Sequence, residues 1–424
     1  MEVGSASPYI FMYSFIFIAV SFLVIFNFLR IFISLTLSNI IQARKIALRN
    51  RRHMTARIGI SIIIPAYNEE KDIYRCVDSV YKNKYLYKEV IVVNDGSNDH
   101  TAQILESLLL QYPDLIVVNQ KNSGKATALN NGILNYASMD LVMVLDGDSF
   151  IAEDALSKMT DHFLKDDRLI ASATNVMIYN PTNIIEYAQK IEYLIGNKYK
   201  ASEPGINLEY IIGGIGSTFR KEALVMVDGY STDSITEDID LSLKLIKAFG
   251  NKSAHIDYAD DVVCYTPPAH NFSDLKKQRF RWKYGRFKAL AKYRSLFFST
   301  NLKKYSVTLT WWKLPKIVFF EEVMMLLDPF MVLFMLYILV IYIDFSVVLG
   351  SLAIYLVISL MASLSDEHLT RKETVLLALS SPATLPLLYI INVVDFYSLV
   401  KSIALSKEIL LNENKISHWT HIER

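Results

Sequence analysis

Apolar and polar positions divide this 424-residue chain into two membrane-like ends and a central block of alternating short elements. Residues 9–29 carry no charge and are long enough to cross a bilayer core as a helix. The stretch is too long for a signal peptide, no basic region precedes it, and no small-residue cleavage site follows. Three further apolar stretches, about 323–343, 345–364 and 374–400, close the chain. Only Asp344 separates the first two, which predicts a helical hairpin followed by the polar loop 365–373. The last carries Pro382, Pro386, Asn392 and Asp395, a pattern that predicts a kinked, re-entrant or interfacial helix.

Between these ends, roughly over 58–270, β-branched runs alternate with helical patterns. Strands are expected at 58–64, 90–93, 115–119 and 141–145, with helices at 72–81 and 100–111 and a helix-like stretch before the fourth strand. Strands alternating with helices indicate an α/β domain on a mostly parallel, doubly wound sheet. Ligands bind such sheets beyond the carboxyl ends of the strands, where Asn68, Asp95 and Asp146 fall.

Composition narrows the setting. The hydrophobic share of 52% and mean hydropathy of +0.25 are high for a soluble enzyme, and the excess lies at the two ends. A net charge of +1 gives no support to nucleic-acid binding. The two cysteines, Cys76 and Cys264, are far apart and read as small core residues in a reducing compartment. Arg30, Arg44, Lys45, Arg49, Arg51, Arg52 and Arg57 follow the first apolar stretch with no acid among them. The positive-inside rule then places the central block in the cytoplasm, under the cell membrane. The expected layout is a membrane helix within 1–43, a catalytic domain at 44–270, a basic amphipathic interface segment at 271–320 and a multi-pass membrane region at 321–424.

Candidate chemistry sits in five strings: IIIPAYNEE (62–70), VVNDGS (92–97), VLDGDS (144–149), TEDID (236–240) and QRFRW (278–282). A leaving group of two adjacent phosphates needs cationic stabilisation, and a hard divalent ion on one or two carboxylates supplies it. Asp146-Gly147-Asp148 offers two carboxylates at a strand end, although Asp-Gly alone is also ordinary turn chemistry. Asp95 is placed to accept hydrogen bonds from a base or ribose, and Lys125 to meet phosphate; a plain turn and a solvated lysine are the simpler readings. Transfer to a hydroxyl needs a base, and Asp238 is chosen for it, while Glu237 or Asp240 read as helix caps. Arg281 suits a diphosphate and Trp282 a sugar face, or else Trp282 is an anchor at the bilayer surface.

Taken in this order, the strings resemble the membrane-integrated, processive glycosyltransferases of family 2, the cellulose, chitin, hyaluronan and poly-N-acetylglucosamine synthases. The resemblance covers about 55–300 by motif and the remainder by layout. It implies a GT-A (Rossmann-like) catalytic domain, flanked by transmembrane helices and an interface helix, and an inverting mechanism. Carried over position by position, Ala66, Tyr67, Glu69 and Asp95 would hold the uridine of a UDP-sugar. Lys125 and Asp146 would line the nucleotide pocket, and Asp148, beside Asp146, would bind Mg2+ or Mn2+. Asp238 would be the base, and Gln278, Arg281 and Trp282 would contact the diphosphate and the acceptor end. The string IGGIGSTFR (212–220) matches the acceptor-side segment, so Gly214 to Ser217 would flank the acceptor sugar.

The implied product is a β-linked polymer such as poly-GlcNAc or a hyaluronan-like chain, with export across the bilayer open. One alternative is a single-addition glycosyltransferase with a ceramide- or diacylglycerol-type lipid acceptor. Another is an inactive membrane scaffold, which the full set Asp95, Asp146, Asp148 and Asp238 speaks against. A channel built by one copy would be lean, which leaves a homo-oligomer or a helper subunit open, and no second-messenger domain is expected.

Overall fold

The computed structural model describes residues 57–201, 209–322, 346–364 and 368–405, the segment 31–40, and scattered residues elsewhere. The apolar stretches 9–29 and 323–343 lie largely outside the described residues.

One eight-stranded sheet organises the central block, in the order β3-β2-β1-β4-β7-β6-β8-β5. Its first half joins β1 (Ile60–Ala66), β2 (Lys88–Asn94), β3 (Ile116–Asn119) and β4 (Leu141–Val144) in parallel. All seven residues of β1 are buried, as expected of a central parallel strand covered on both faces. Ile60, Ile62 and Ile64 point into a core shared with helices Ile73–Lys82, Thr101–Gln111 and Ala155–Lys165. Ile63 points the other way, into a core closed by helices Lys125–Asn131 and Glu237–Phe249.

The second half departs from the mostly parallel expectation. β7 (Ser217–Arg220) runs antiparallel between β4 and β6 (Leu169–Ile178). β6 pairs in parallel with β8 (His255–Thr266), and the two-residue β5 (Phe150–Ile151) is antiparallel to β8. The sheet is therefore mixed. β6 escaped the sequence reading because polar residues interrupt its apolar pattern. Thr174 donates to the Ile215 carbonyl, and Asn175 accepts from Asn197, so both are satisfied while buried.

Helix Arg371–Ala404 is the one helix among the described residues long and apolar enough to cross a membrane. Only 22% of its most apolar window is buried, unlike the core helix of a soluble domain. It runs unbroken through Pro382 and Pro386, which replaces the re-entrant alternative. Pro382 cannot bond the Ala378 carbonyl, and the Ser381 hydroxyl does so instead at 2.7 Å. Helices Ser346–Leu364 and Ile31–Ile40 join it in a cluster that includes Leu35, Ile358 and Leu377.

Helix Phe272–Lys292 carries the QRFRW string, within the stretch expected to lie at a membrane surface. A basic amphipathic helix on a bilayer would turn its cations outward. Here Arg279 and Lys283 are buried, paired with Glu192 and Glu322. Two of the helix's cations are thus held inside the protein, while Lys276, Lys277 and Lys292 are exposed.

Gly216 shows how tightly the second half of the sheet is packed. Its φ of +66° favours glycine, and a Cβ there would lie 2.3 Å from Cys264 Sγ and 3.0 Å from Thr174 Cγ2. Gly216→Ala should therefore destabilise the fold by at least ~1–3 kcal/mol, the usual cost of overpacking, read as a lower thermal midpoint in detergent. An unchanged midpoint would contradict this packing.

Candidate active site

The site forms where the parallel strands end. After β1 the chain bends at Asn68, with φ of +58°, and the Asn68 amide donates to Ser97 Oγ at 3.0 Å. The loop after β2 is thereby tied to the loop after β1, and Asn98 N donates back to Asn68 Oδ1 at 2.8 Å. Asp95 then reaches across to the loop after β3. Its carboxylate accepts from Gln120 Nε2 (2.8 Å), Ser123 N (2.9 Å) and Gly124 N (2.8 Å). Asp95 thus sets the turn that presents Lys125.

Lys125 is the hub. Its ammonium lies 2.7 Å from Asp146 Oδ1 at the end of β4 and 3.0 Å from Glu237 Oε1 at the start of helix Glu237–Phe249. A side-chain carbon placed on Gly214 would stand 3.5 Å from that ammonium, 3.8 Å from Asp238 Oδ2 and 3.9 Å from Asp146 Oδ2. Lys125, Asp238 and Asp146 therefore approach one point beside Gly214. Asp148 is nearly buried, and its Oδ1 accepts from Ser149 Oγ at 2.8 Å.

A cavity of about 700 Å³ opens on this cluster. Ala66, Tyr67, Glu69, Asp95, Lys125, Asp146, Asp148 and Arg281 all line it, so the structure collects residues that are widely spread in sequence. Glu237 lines it as well, a partner for Lys125 that sequence reading assigned to capping. Its position one residue before Asp238 was the available signal. Asn68, Thr232 and Ser234 also face the cavity, and their sequence context carries no signal beyond turn composition.

Five candidate residues do not line the cavity: Gly214, Ser217, Asp238, Gln278 and Trp282. Ser217 is fully buried on β7 and its hydroxyl donates to the Gly213 carbonyl, so it fixes the glycine turn and does not face the cavity. Gln278 is buried, Trp282 is half-buried, and neither lines the cavity. Asp240 is set apart too. It accepts from Ser231 Oγ (2.5 Å) and Tyr293 Oη (3.2 Å) and pairs with Lys292 (2.8 Å), clamping two helices together.

Electrostatics separate the acids. Burial would lower Lys125, but Asp146 and then Glu237 outweigh it and hold the ammonium charged well beyond its ordinary range. Burial likewise pushes Glu237 up, and the Lys125 ammonium more than offsets that, leaving Glu237 lowered. Asp238 has no such direct partner. Burial, and next the Glu237 carboxylate, push it up to about 6. A carboxylate of that basicity, aimed at an open space beside a buried cation, is suited to taking a proton near neutral pH.

Asp146 and Asp148 supply oxygen donors only, the ligand type a hard divalent cation takes. Among the described residues no third His, Cys, Asp or Glu completes a cage with them. Such an ion would need further oxygen from a bound phosphate or water.

The QRFRW helix abuts this site through Gly285. A Cβ on Gly285 would lie 2.4 Å from Thr236 Cγ2 and 2.5 Å from Thr236 Oγ1, directly before Glu237 and Asp238. Gly285→Ala should cost about 1–3 kcal/mol by overpacking, and adding Thr236→Ala, which removes both atoms, should recover part of it. Additive losses in the double variant, read by thermal unfolding, would show that the two residues do not meet.

Residues 61–235 match the family described as Glycosyl transferase family 2. Over 277 residues the chain is 34% identical to a poly-beta-1,6-N-acetyl-D-glucosamine synthase of Staphylococcus aureus (strain COL), 65% of this chain and 63% of that protein. A synthase of the same name from Staphylococcus epidermidis is 36% identical over 251 residues, 59% of each chain. The chain thus spans a little under two thirds of the length of these curated relatives. Among solved structures, a mannosyltransferase from Pyrobaculum calidifontis, in complex with GDP-Man and Mn2+, superposes with a TM-score of 0.53 at 19% identity. That match covers 91% of this chain and 99% of the other, and at such identity it is a likeness of fold. The similarity to glycosyl transferase family 2 thus falls on residues 61–235, the stretch that carries β1 to β4 and most of the acids of the cavity.

Proposed function

We propose that this chain is an inverting glycosyltransferase that moves a sugar from a UDP-sugar onto a growing β-linked, poly-N-acetylglucosamine-like polymer at the cytoplasmic face of a membrane. The observation that carries this reading is the approach of Asp238, Asp146 and the Lys125 ammonium to one point beside Gly214, with Lys125 and Asp146 also lining the cavity. The similarity to poly-beta-1,6-N-acetyl-D-glucosamine synthases supports the sugar class.

In this reading the uridine lies against Ala66, Tyr67, Glu69 and Asp95, and the diphosphate points toward Lys125 and Arg281. Asp146 and Asp148 would hold Mg2+ or Mn2+, which when bound supplies charge neutralisation for the departing diphosphate. The acceptor hydroxyl faces Asp238 across the Gly214 space. Its proton passes to Asp238 Oδ2 as the oxygen bonds to the anomeric carbon, the carbon inverts, and UDP leaves with the bonding pair. Gln278 and Trp282, behind the cavity, hold the acceptor end. Lys125 holds Glu237 ionised, so of these two adjacent acids Asp238 is the one that takes the proton.

Detergent-solubilised protein given UDP-GlcNAc and Mg2+ or Mn2+ should release UDP and yield high-molecular-weight product. A single sugar on lipid would favour the glycolipid alternative, and no UDP release from any UDP-sugar would overturn the proposal. Asp238→Asn should lower transfer by about 10²–10⁴-fold with UDP affinity, by calorimetry, little changed. Because Asp238 must be ionised to accept a proton, wild-type kcat/KM should fall as pH drops through about 6. Near-normal turnover in Asp238→Asn would reassign the base.

A further inference from the structure

Helix Phe272–Lys292 has two working faces, and only one of them meets the cavity. Arg281 lines the cavity and Gly285 touches Thr236. Arg279, Lys283 and Arg286 recur at i, i+4 and i+7, so they share a different face of the same helix. On that face Arg279 forks onto Glu192 of helix Ile184–Ala201, Nη1 to Oε1 at 2.7 Å and Nη2 to Oε2 at 2.5 Å. Its Nη1 also lies 3.8 Å from Asp395 Oδ2 on the apolar helix Arg371–Ala404. The guanidinium stands 5.3 Å from the Trp282 ring centroid. Two more contacts join the same pair of helices, Lys401 over the Phe280 ring and Lys276 over the Tyr397 ring, each at 4.1 Å.

We propose that Arg279 is a positioning residue, which fixes the Trp282 ring and sets the acceptor side of the site from the apolar helix Arg371–Ala404. A buried bidentate pair holds direction as well as distance, so the guanidinium plane is locked and the ring beside it has one resting place. Lysine keeps the charge but loses the fork and the flat face. The nucleotide side, built on the strand ends, does not touch Arg279. The assignment rests on the acceptor role given to Trp282 above.

The test uses the full chain in detergent. Arg279→Lys and Glu192→Gln should each lower sugar transfer by about 10- to 100-fold, the scale of a small misplacement, while UDP affinity stays unchanged. In a Trp282→Ala background, Arg279→Lys should cause no further loss, because the ring it positions is gone. An independent optical readout comes from a chain whose other three tryptophans are removed by Trp311→Phe, Trp312→Phe and Trp419→Phe. There, both variants should shift the Trp282 emission. Glu192 is the milder site, only partly buried, and gives the answer if Arg279→Lys fails to accumulate. Loss of UDP affinity in step with transfer would overturn the proposal, as would unchanged transfer together with unchanged Trp282 emission. If wild-type protein releases UDP from no nucleotide sugar, the transferase reading fails, and the emission shift alone still judges the clasp.

Discussion

A single buried ammonium shared among neighbouring carboxylates sets the character of this site. Two unit charges 4 Å apart interact by about 4 kcal/mol at an effective dielectric near 20, so each contact with Lys125 strongly biases ionisation. Lys125 makes two such contacts, to Asp146 and Glu237, and acts on Asp238 without a direct pair, as Arg281 does. Burial and then the Glu237 carboxylate outweigh both cations at Asp238, the acid beside Gly214, which is raised to about 6. Two adjacent acids in one helix turn thereby take different roles, Glu237 as a fixed counter-charge and Asp238 as a group able to gain a proton.

The rest of the fold holds that arrangement from both sides. On the nucleotide side Asp95 binds the backbone of the loop that presents Lys125, so a strand-end acid acts first as scaffold. On the acceptor side, Asp240 ties helix Glu237–Phe249 to Tyr293 and Lys292, and Gly285 lets the QRFRW helix close onto Thr236. The QRFRW helix is in turn clasped to helix Arg371–Ala404, the described helix best suited to cross a membrane. The helix that abuts Thr236 and the described helix long and apolar enough to cross a membrane are therefore joined to each other.

Much of this was legible in the chain itself. β1 to β4 are apolar runs, and β2 and β4 lead into Asp95 and Asp146, so both the parallel half-sheet and these two acids at its edge could be read directly. The antiparallel half was not legible. β7 has only four residues, and β6 hides its pattern behind buried polar side chains satisfied by distant partners such as Asn197. The internal partners of the QRFRW helix were not legible either. Glu192, Glu322 and Asp395, which pair with Arg279 and Lys283, are remote in sequence. Ser217 reads as a ligand by its glycine-rich setting, yet the turn consumes its hydroxyl.

The most direct measurement of the central claim is the pH profile of kcat/KM for Lys125→Met, with Lys125→Arg as the charge-preserving control. Lys125 lowers the proton affinity of Asp238, although burial and Glu237 outweigh it. Without the ammonium, Asp238 should hold its proton to higher pH, so the acid limb should move above about 6 in Lys125→Met and stay in place in Lys125→Arg. An acid limb that remains near 6 when the ammonium is removed would contradict the claim that Lys125 governs how these carboxylates divide their roles.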